Sequence, residues 1–243
     1  MNVIHKGKVK TVYECDDSGY EVLIDYEDRI CAGNGEKEDI IVGKGLVNSK
    51  ISSILFEQLN EAGLKTHYLR MQALQMRCNY CDVIPLEVVV RNYVAGSLAK
   101  QTHMRTGTRL SYPLIDFYLK DDSLGDPLLT EDRMRNIGHS DILIGLLRKR
   151  ALEINLVLSS LFDSIGLHLI DLKLEFGRTI RDGTLVLVDE LSPDNMRLWS
   201  QETNESKDKD LYRKDAGGIF EAYSEVLDKL IVLVDERKQK ISS

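Results

Sequence analysis

Three observations predict an α+β fold. The first third of the chain reads as short strands and turns, and long helical patterns are confined to a few stretches. Strands and helices do not alternate in the regular way of a doubly wound parallel sheet. At 243 residues the chain is long enough for one sizeable core, or for a larger and a smaller lobe around a cleft.

Lys8–Glu14 and Glu21–Tyr26 are β-like, and Asp16-Asp17-Ser18-Gly19 between them is a turn-forming cluster. Cys31-Ala32-Gly33-Asn34-Gly35-Glu36-Lys37 reads as a glycine-rich loop. A helix is predicted from about Leu46 to Ala62, because Val47, Ile51, Ile54, Leu55 and Leu59 recur at helical spacing and Gly63 makes a C-terminal stop. The β-branched run Val83–Arg91 reads as a strand that passes through Asn92–Ser97 into a helix start, and that helix is predicted to stop near Gly107. A strand at Leu114–Leu119 and a long helix at about His139–Ser164 follow. Leu167–Phe176 and Thr184–Asp189 are predicted to form a hairpin about Arg181-Asp182-Gly183, and a last helix covers about Gly218–Gln239.

The net charge of -7 leaves no basic surplus to displace counterions from a polyanion, so nucleic acid is not an expected partner. The N-terminal stretch MNVIHKGKVK lacks the apolar run of a secretory signal, and no apolar run approaches the length of a membrane span. A cytoplasmic location without membrane contact is therefore expected. Four unevenly spaced cysteines suit reduced thiols. The lone C-x-x-C of Cys78 and Cys81 lacks the second ligand pair that a zinc site needs.

The chemistry-bearing residues are charged. In Asp171-Leu172-Lys173-Leu174-Glu175-Phe176, strand alternation puts Asp171, Lys173 and Glu175 on one face and the apolar residues on the other. A solvated face is the ordinary reading of such a pattern. Asp189-Glu190 at the end of the partner strand, and Asp194 soon after, favour a site. Magnesium takes one or two carboxylates together with phosphates, and Glu175 and Asp189 are the candidate pair. Both lie late in their strands, so their convergence calls for a bend, a longer loop or a bridging phosphate. In Lys6-Gly7-Lys8-Val9-Lys10 a strand would set the lysines on one face beside a glycine that lets a ligand approach. This is no Walker A loop. Glu87 and Arg91 share a strand face, and Ser97 follows at a helix start suited to an anion. Arg197 lies about one turn after Asp194, as in an ordinary intrahelical ion pair. No nucleophile elbow is present, and the histidines have no evident serine or cysteine partner.

These motifs resemble those of the SAICAR synthetase family, the phosphoribosylaminoimidazole-succinocarboxamide synthases of purine biosynthesis. The matching stretches are Lys6–Tyr13 (KGKVKTVY), Pro85–Ser97 (PLEVVVRNYVAGS), Leu119–Asp122, Asp126-Pro127, Asp171–Gly177 (DLKLEFG), Asp189–Asp194 (DELSPD) and Arg197–Trp199, in family order across nearly the whole chain. The resemblance implies an ATP-dependent ligase that condenses carboxyaminoimidazole ribonucleotide (CAIR) with L-aspartate to give SAICAR, ADP and phosphate. It implies a two-lobed fold, with a β-rich lobe over residues 1–82, an α+β lobe over 83–243 and an ATP cleft between them. Lys8 and Lys10 match phosphate-side lysines of the ATP site, and Val12, Asp82 and Val83 match positions beside the nucleotide. Arg91, Ser97, Lys100, Asp194 and Arg197 match substrate-binding positions. Glu175 and Asp189 match ligands of Mg2+, and Asp171, Lys173, Lys120 and Asp126 match catalytic or other polar cleft positions. A homodimer is the expected assembly. Cys31 departs from the small hydroxyl residue expected before Ala-Gly, and Gln101 from a basic residue after Lys100. A kinase that stops at phosphoryl transfer would need the same lysines and acids but no aspartate site. A silent nucleotide-binding regulator would lack one of the charged residues, and none is missing.

Overall fold

The structure, a computed structural model, describes residues 2–15 and 18–242. The expected α+β class is found. A first antiparallel sheet is built from β1 (Val3–Lys6), β2 (Lys10–Glu14), β3 (Glu21–Tyr26), β6 (Tyr68–Gln72) and β7 (Gln75–Asn79), in the order β1-β2-β3-β7-β6. Between β3 and β6 come a small hairpin of β4 (Arg29–Ala32) and β5 (Lys37–Ile40), and the helix α1 (Lys44–Glu61).

The chain then enters a second sheet. It contains β8 (Cys81–Tyr93), β9 (Arg109–Leu119), β10 (Leu128–Leu129), β11 (Leu167–Thr179) and β12 (Leu185–Val188), in the order β10-β9-β8-β11-β12. A further strand, β13 (Met196–Ser200), also pairs with β11. The helices α2 (Gly96–Gln101), α3 (Glu131–Asn136), α4 (Asp141–Ser164), α5 (Asp210–Arg213) and α6 (Ile219–Ser242) complete the fold.

Alternation in β8 and β11 sorts their side chains by chemistry. Leu86, Val88 and Val90 of β8, with Leu172, Leu174 and Phe176 of β11, are buried on one face. There they meet α4, whose Ile144, Leu147, Ala151, Ile154, Leu158 and Leu161 recur at helical spacing and are also buried. Ser140 caps α4 by accepting a hydrogen bond from Leu143 N at 3.2 Å. The other face carries Glu87, Arg91, Asp171, Lys173 and Glu175, so the packing of α4 presents the charged residues together. Helix α1 covers the first sheet with Ile51, Leu55, Phe56 and Leu59, each 0% exposed, and packs against α6. At its first turn Gly45 lies against the carbonyl of Tyr26, where an added Cβ would stand 2.2 Å from the oxygen. Gly45→Ala is therefore expected to lower stability by about 1–3 kcal/mol, the usual cost of overpacking, measurable by urea unfolding. An unchanged midpoint would show that the α1 start moves freely against β3.

Several local expectations are corrected. Lys6–Lys10 is not one strand but the turn of the β1–β2 hairpin, closed by Gly7 N donating to Lys10 O at 2.8 Å, so the lysines do not share a strand face. The glycine-rich loop is a hairpin with a short 3-10 turn at Gly33–Gly35. Helix α2 ends at Gln101 rather than near Gly107, and β9 starts five residues before Leu114. Arg197 lies in a strand, not one helical turn after Asp194. Strand β8 starts at Cys81, so the 82/83 boundary falls just inside it. Of the expected Asp16–Gly19 turn, Asp16 and Asp17 lie outside the described residues.

Candidate active site

Two charge clusters lie on the polar face of the second sheet, and strand register builds both. Glu175 of β11 pairs directly with Glu87 of β8 on one edge and with Val188 of β12 on the other. Opposed like charges are unfavourable in a sheet, and here a lysine bridges them. Lys173 Nζ donates to Glu87 Oε1 at 2.8 Å and to Glu175 Oε1 at 2.5 Å, and lies 3.8 Å from Asp189 Oδ2. Val188 is the partner of Glu175, so strand alternation alone would turn Asp189 to the other face; the chain bends at Asp189, whose φ is +69°, and that bend brings the two carboxylates together as expected. Lys120, just after β9, donates to Glu175 Oε2. From the first sheet Lys10 donates to Asp189 Oδ1 and, at 3.2 Å, to Glu190 Oε1.

The charged face is thus not a solvated strand. Glu175 is 3% exposed. Burial alone would raise the Asp189 carboxyl, but Lys10, Lys173 and Lys120 hold it well below the ordinary carboxylate range. Burial alone would lower the Lys173 ammonium, and Asp189, Glu175 and Glu87 raise it instead. The same balance of burial against Asp189 and Glu190 raises Lys10.

The second cluster is centred on Asp171, which register places between Arg91 of β8 and Arg197 of β13. Arg197 Nη1 donates to Asp171 Oδ2 at 2.8 Å, and Arg91 Nη1 lies 3.6 Å from the same oxygen. Arg91 also donates from Nε to Asp116 Oδ2 at 2.8 Å, and from Nη2 to Ser97 Oγ and Tyr118 OH at 2.9 Å each. Arg197 Nε donates to Asp210 Oδ2 at 3.1 Å. Its guanidinium lies against the backbone of Gly96, where a Cβ would come within 2.7 Å. Gly96 therefore has both a positive φ of 52° and no room for a side chain.

Other expected residues stand elsewhere. Lys8, at the tip of the first hairpin, donates to Asp122 Oδ1 at 2.7 Å and is half exposed. Val12 is half-buried on β2. Asp82 and Val83 are exposed at the start of β8, and Lys100 is exposed at the end of α2. Asp126 accepts from Asp121 N at 2.9 Å and shapes the 121–126 loop. Asp194 is buried, accepting from Lys44 Nζ at 2.6 Å, Asn48 Nδ2 at 2.8 Å and Tyr223 OH at 2.9 Å. Those three partners account for both its oxygens, so its geometry is that of a brace between α1, α6 and the 189–195 turn. The four cysteines are free thiols.

Sequence reasoning did not single out Asp116, Tyr118, Asp210, Lys44 or His67. All but His67 act through partners far along the chain, which leave no local pattern. His67 is 4% exposed, its Nε2 has no partner among the described residues, and burial pulls its pKa down to about 4.

The donor set fits magnesium bound jointly with phosphate. Glu175 and Asp189 approach the same ammonium, so both face one point already favourable to a cation. Among the described residues no group of three or more potential ligands gathers. No helix among the described residues is long and apolar enough to cross a membrane.

The family model for SAICAR synthetase matches residues 3–230. A phosphoribosylaminoimidazole-succinocarboxamide synthase from Bacillus cereus is 44% identical over 232 residues, covering 95% of this chain and 96% of the relative. The crystal structure of the corresponding synthase from Ehrlichia chaffeensis superposes with a TM-score of 0.92 at 37% identity, covering 94% of this chain and 98% of that one. A SAICAR synthetase solved in complex with ADP superposes with a TM-score of 0.89 at 36% identity, covering 93% and 96%. The chain belongs to the SAICAR synthetase family.

Proposed function

We infer that the polar face of β8 and β11 is where this chain makes SAICAR from CAIR, L-aspartate and ATP, through an acyl phosphate. The synthetase activity follows from family membership over nearly the whole length. The observation that carries the placement is the arrangement of Asp171, Lys173 and Glu175 on one face of one strand. Four strand residues span about 13 Å, comparable to a ribonucleotide from its phosphate to its base. Arg91, Ser97 and Arg197, with Lys100 at the rim, hold the CAIR phosphate at one end. The CAIR carboxylate then lies toward Lys173 and Glu175. Lys10 and Lys8 take the ATP phosphates from the first sheet, and Val12, Asp82 and Val83 border the nucleoside. The two sheets act as lobes of residues 1–82 and 83–243 with this cleft between them.

A carboxylate is a poor electrophile because oxide is a poor leaving group. A CAIR carboxylate oxygen attacks the γ-phosphorus, the bond to ADP breaks and ADP leaves. The aspartate amine then attacks the acyl carbon, loses a proton, and phosphate leaves. Every reactant is anionic, so Lys10, Lys120 and Lys173 serve by offsetting charge that repels and by orienting the phosphoryl group. Glu175 and Asp189 would hold Mg2+, which when bound adds charge stabilisation on the phosphates. Asp171 is a positioning residue that sets both arginines.

ADP release by the pure protein should require both CAIR and aspartate. Release with CAIR alone at the full rate would point to a kinase. Arg91→Lys keeps the charge but loses the planar fork, so the KM for CAIR should rise about tenfold or more while the KM for ATP moves little. Unchanged CAIR kinetics would remove Arg91 from the CAIR site.

A further inference from the structure

Lys10 has two tasks that conflict. In this structure its ammonium donates to Asp189 Oδ1 and, at 3.2 Å, to Glu190 Oε1. In the proposed reaction it gives those hydrogen bonds over to the ATP phosphates. A lysine head sits on a flexible four-carbon stem, so an ammonium that lets go of its acids has many places to go. Something other than a hydrogen bond has to hold it.

The register of the first sheet supplies that hold. Tyr26 of β3 pairs directly with Lys10 of β2, so the two side chains lie on one face. The Lys10 ammonium stands 5.5 Å from the centroid of the Tyr26 ring. Within about 6 Å the negative face of an aromatic ring attracts a cation, and the attraction grows as the pair is withdrawn from water. Here the Lys10 side chain is 15% exposed and Tyr26 is 8% exposed. Tyr26 is also firmly seated. Its ring belongs to the apolar core, its carbonyl lies against Gly45 of α1, and the next residue, Glu27, donates from N to Val9 O at 2.8 Å. The Tyr26 hydroxyl faces Ser52 without forming a hydrogen bond of ordinary geometry, and Ser52 Oγ already donates to Leu191 O at 3.1 Å. What Tyr26 offers the site is therefore the face of its ring. A ring face uses up none of the three N–H donors of an ammonium in particular, so all three stay available to phosphate oxygens.

We propose that Tyr26 is a positioning residue for ATP: its ring face holds the Lys10 ammonium in place while that ammonium exchanges Asp189 and Glu190 for phosphate oxygens. Tyr26 touches no reactant and acts through Lys10. This rests on the placement of Lys10 at the ATP phosphates given above.

The test is steady-state kinetics of Tyr26→Leu, Tyr26→Phe and Lys10→Met, and of Tyr26→Leu combined with Lys10→Met, with each substrate varied in turn. Tyr26→Leu should raise the KM for ATP about fivefold to thirtyfold, with the KM values for CAIR and aspartate within about twofold of wild type. Tyr26→Phe keeps the ring and should stay within about twofold of wild type for all three substrates. Once Lys10→Met has removed the cation, Tyr26→Leu should add no further loss. Replacing Tyr26 by pentafluorophenylalanine keeps the shape of the ring but withdraws negative charge from its face, so it should raise the KM for ATP as Tyr26→Leu does. It also carries the test if Tyr26→Leu does not fold. A wild-type ATP KM in Tyr26→Leu or in the fluorinated variant overturns the proposal. So does an equal rise for all three substrates, a Tyr26→Phe as impaired as Tyr26→Leu, or an undiminished loss in the Lys10→Met background. Failure of both Tyr26→Leu and the fluorinated variant to fold overturns it too, since the ring would then be structural. If Lys10→Met leaves the KM for ATP unchanged, the placement of Lys10 falls and this proposal with it. An impaired Lys10→Met beside an unaffected Tyr26→Leu removes this proposal alone.

Discussion

Glu175→Gln is expected to lower kcat by about a hundredfold to a thousandfold, the scale seen when one preorganised electrostatic contact at a reacting centre is lost. The side chain is 3% exposed, receives Lys173 at 2.5 Å and also receives Lys120. Glutamine has the same size, but its amide nitrogen cannot accept from either ammonium. It also takes one of two carboxylates from the proposed magnesium site. The magnesium titration should therefore move to higher concentration, and kcat should stay low even at saturating metal, because the lysines have lost their shared anchor. Lys173 keeps Glu87 at 2.8 Å and Asp189 at 3.8 Å, so the fold should persist, with a native circular dichroism spectrum. A folded variant with the wild-type magnesium titration and wild-type kcat would rule out both roles.

Lys44→Met should produce the largest loss of stability, about 3–5 kcal/mol, as when one partner of a buried ion pair is removed. The side chains of Lys44 and Asp194 are 1% and 3% exposed, with 2.6 Å between Nζ and Oδ2. The pH dependence identifies the cause. In wild type, burial works to raise the Asp194 carboxyl, but Lys44 and Lys209 prevail and hold it below its ordinary value. A depressed carboxylate contributes stability that is fully present above the unfolded pKa, about 3.9, and is lost as pH falls through the folded value. In Lys44→Met burial gains the upper hand and the carboxyl is raised, so the folded state binds the extra proton. Stability of the variant should then rise as pH is lowered from 7 toward 5, where wild type is flat or falling. Urea midpoints across that range measure it. Adding Asp194→Asn to Lys44→Met should recover a good part of the loss, and a double variant no better than the single would show that Lys44 acts through packing alone.

The fold class and the charged face of β11 were legible because both depend on short-range periodicity. Alternation in DLKLEF separates acids and lysine from leucines whatever the partner strands are. What those residues touch was legible only in part. Asp171 meets Arg91 and Arg197 because three strands lie side by side in a particular register, and register is a property of the assembled sheet. Asp194 illustrates the same limit from the other side. Its motif marks it for the site, yet its partners come from α1 and α6, up to 150 residues away in sequence. Lys6–Lys10 misled for a local reason: one lysine before a glycine and two after it fit a strand as well as a tight turn, and only the pairing of β1 with β2 decides for the turn.

The contact between Lys8 and Asp122 joins the tip of that first hairpin to the loop after β9, across 114 residues of sequence. Both side chains stand largely in water, 48% and 67% exposed. Such a pair is worth no more than about 1 kcal/mol, and dissolved salt weakens it further. Thermal motion therefore parts the two ends readily, unlike the buried anchors of Lys10 and Lys44. Added salt should therefore loosen the tip of the hairpin from the 121–126 loop well before it disturbs the contacts of Lys10 and Lys44.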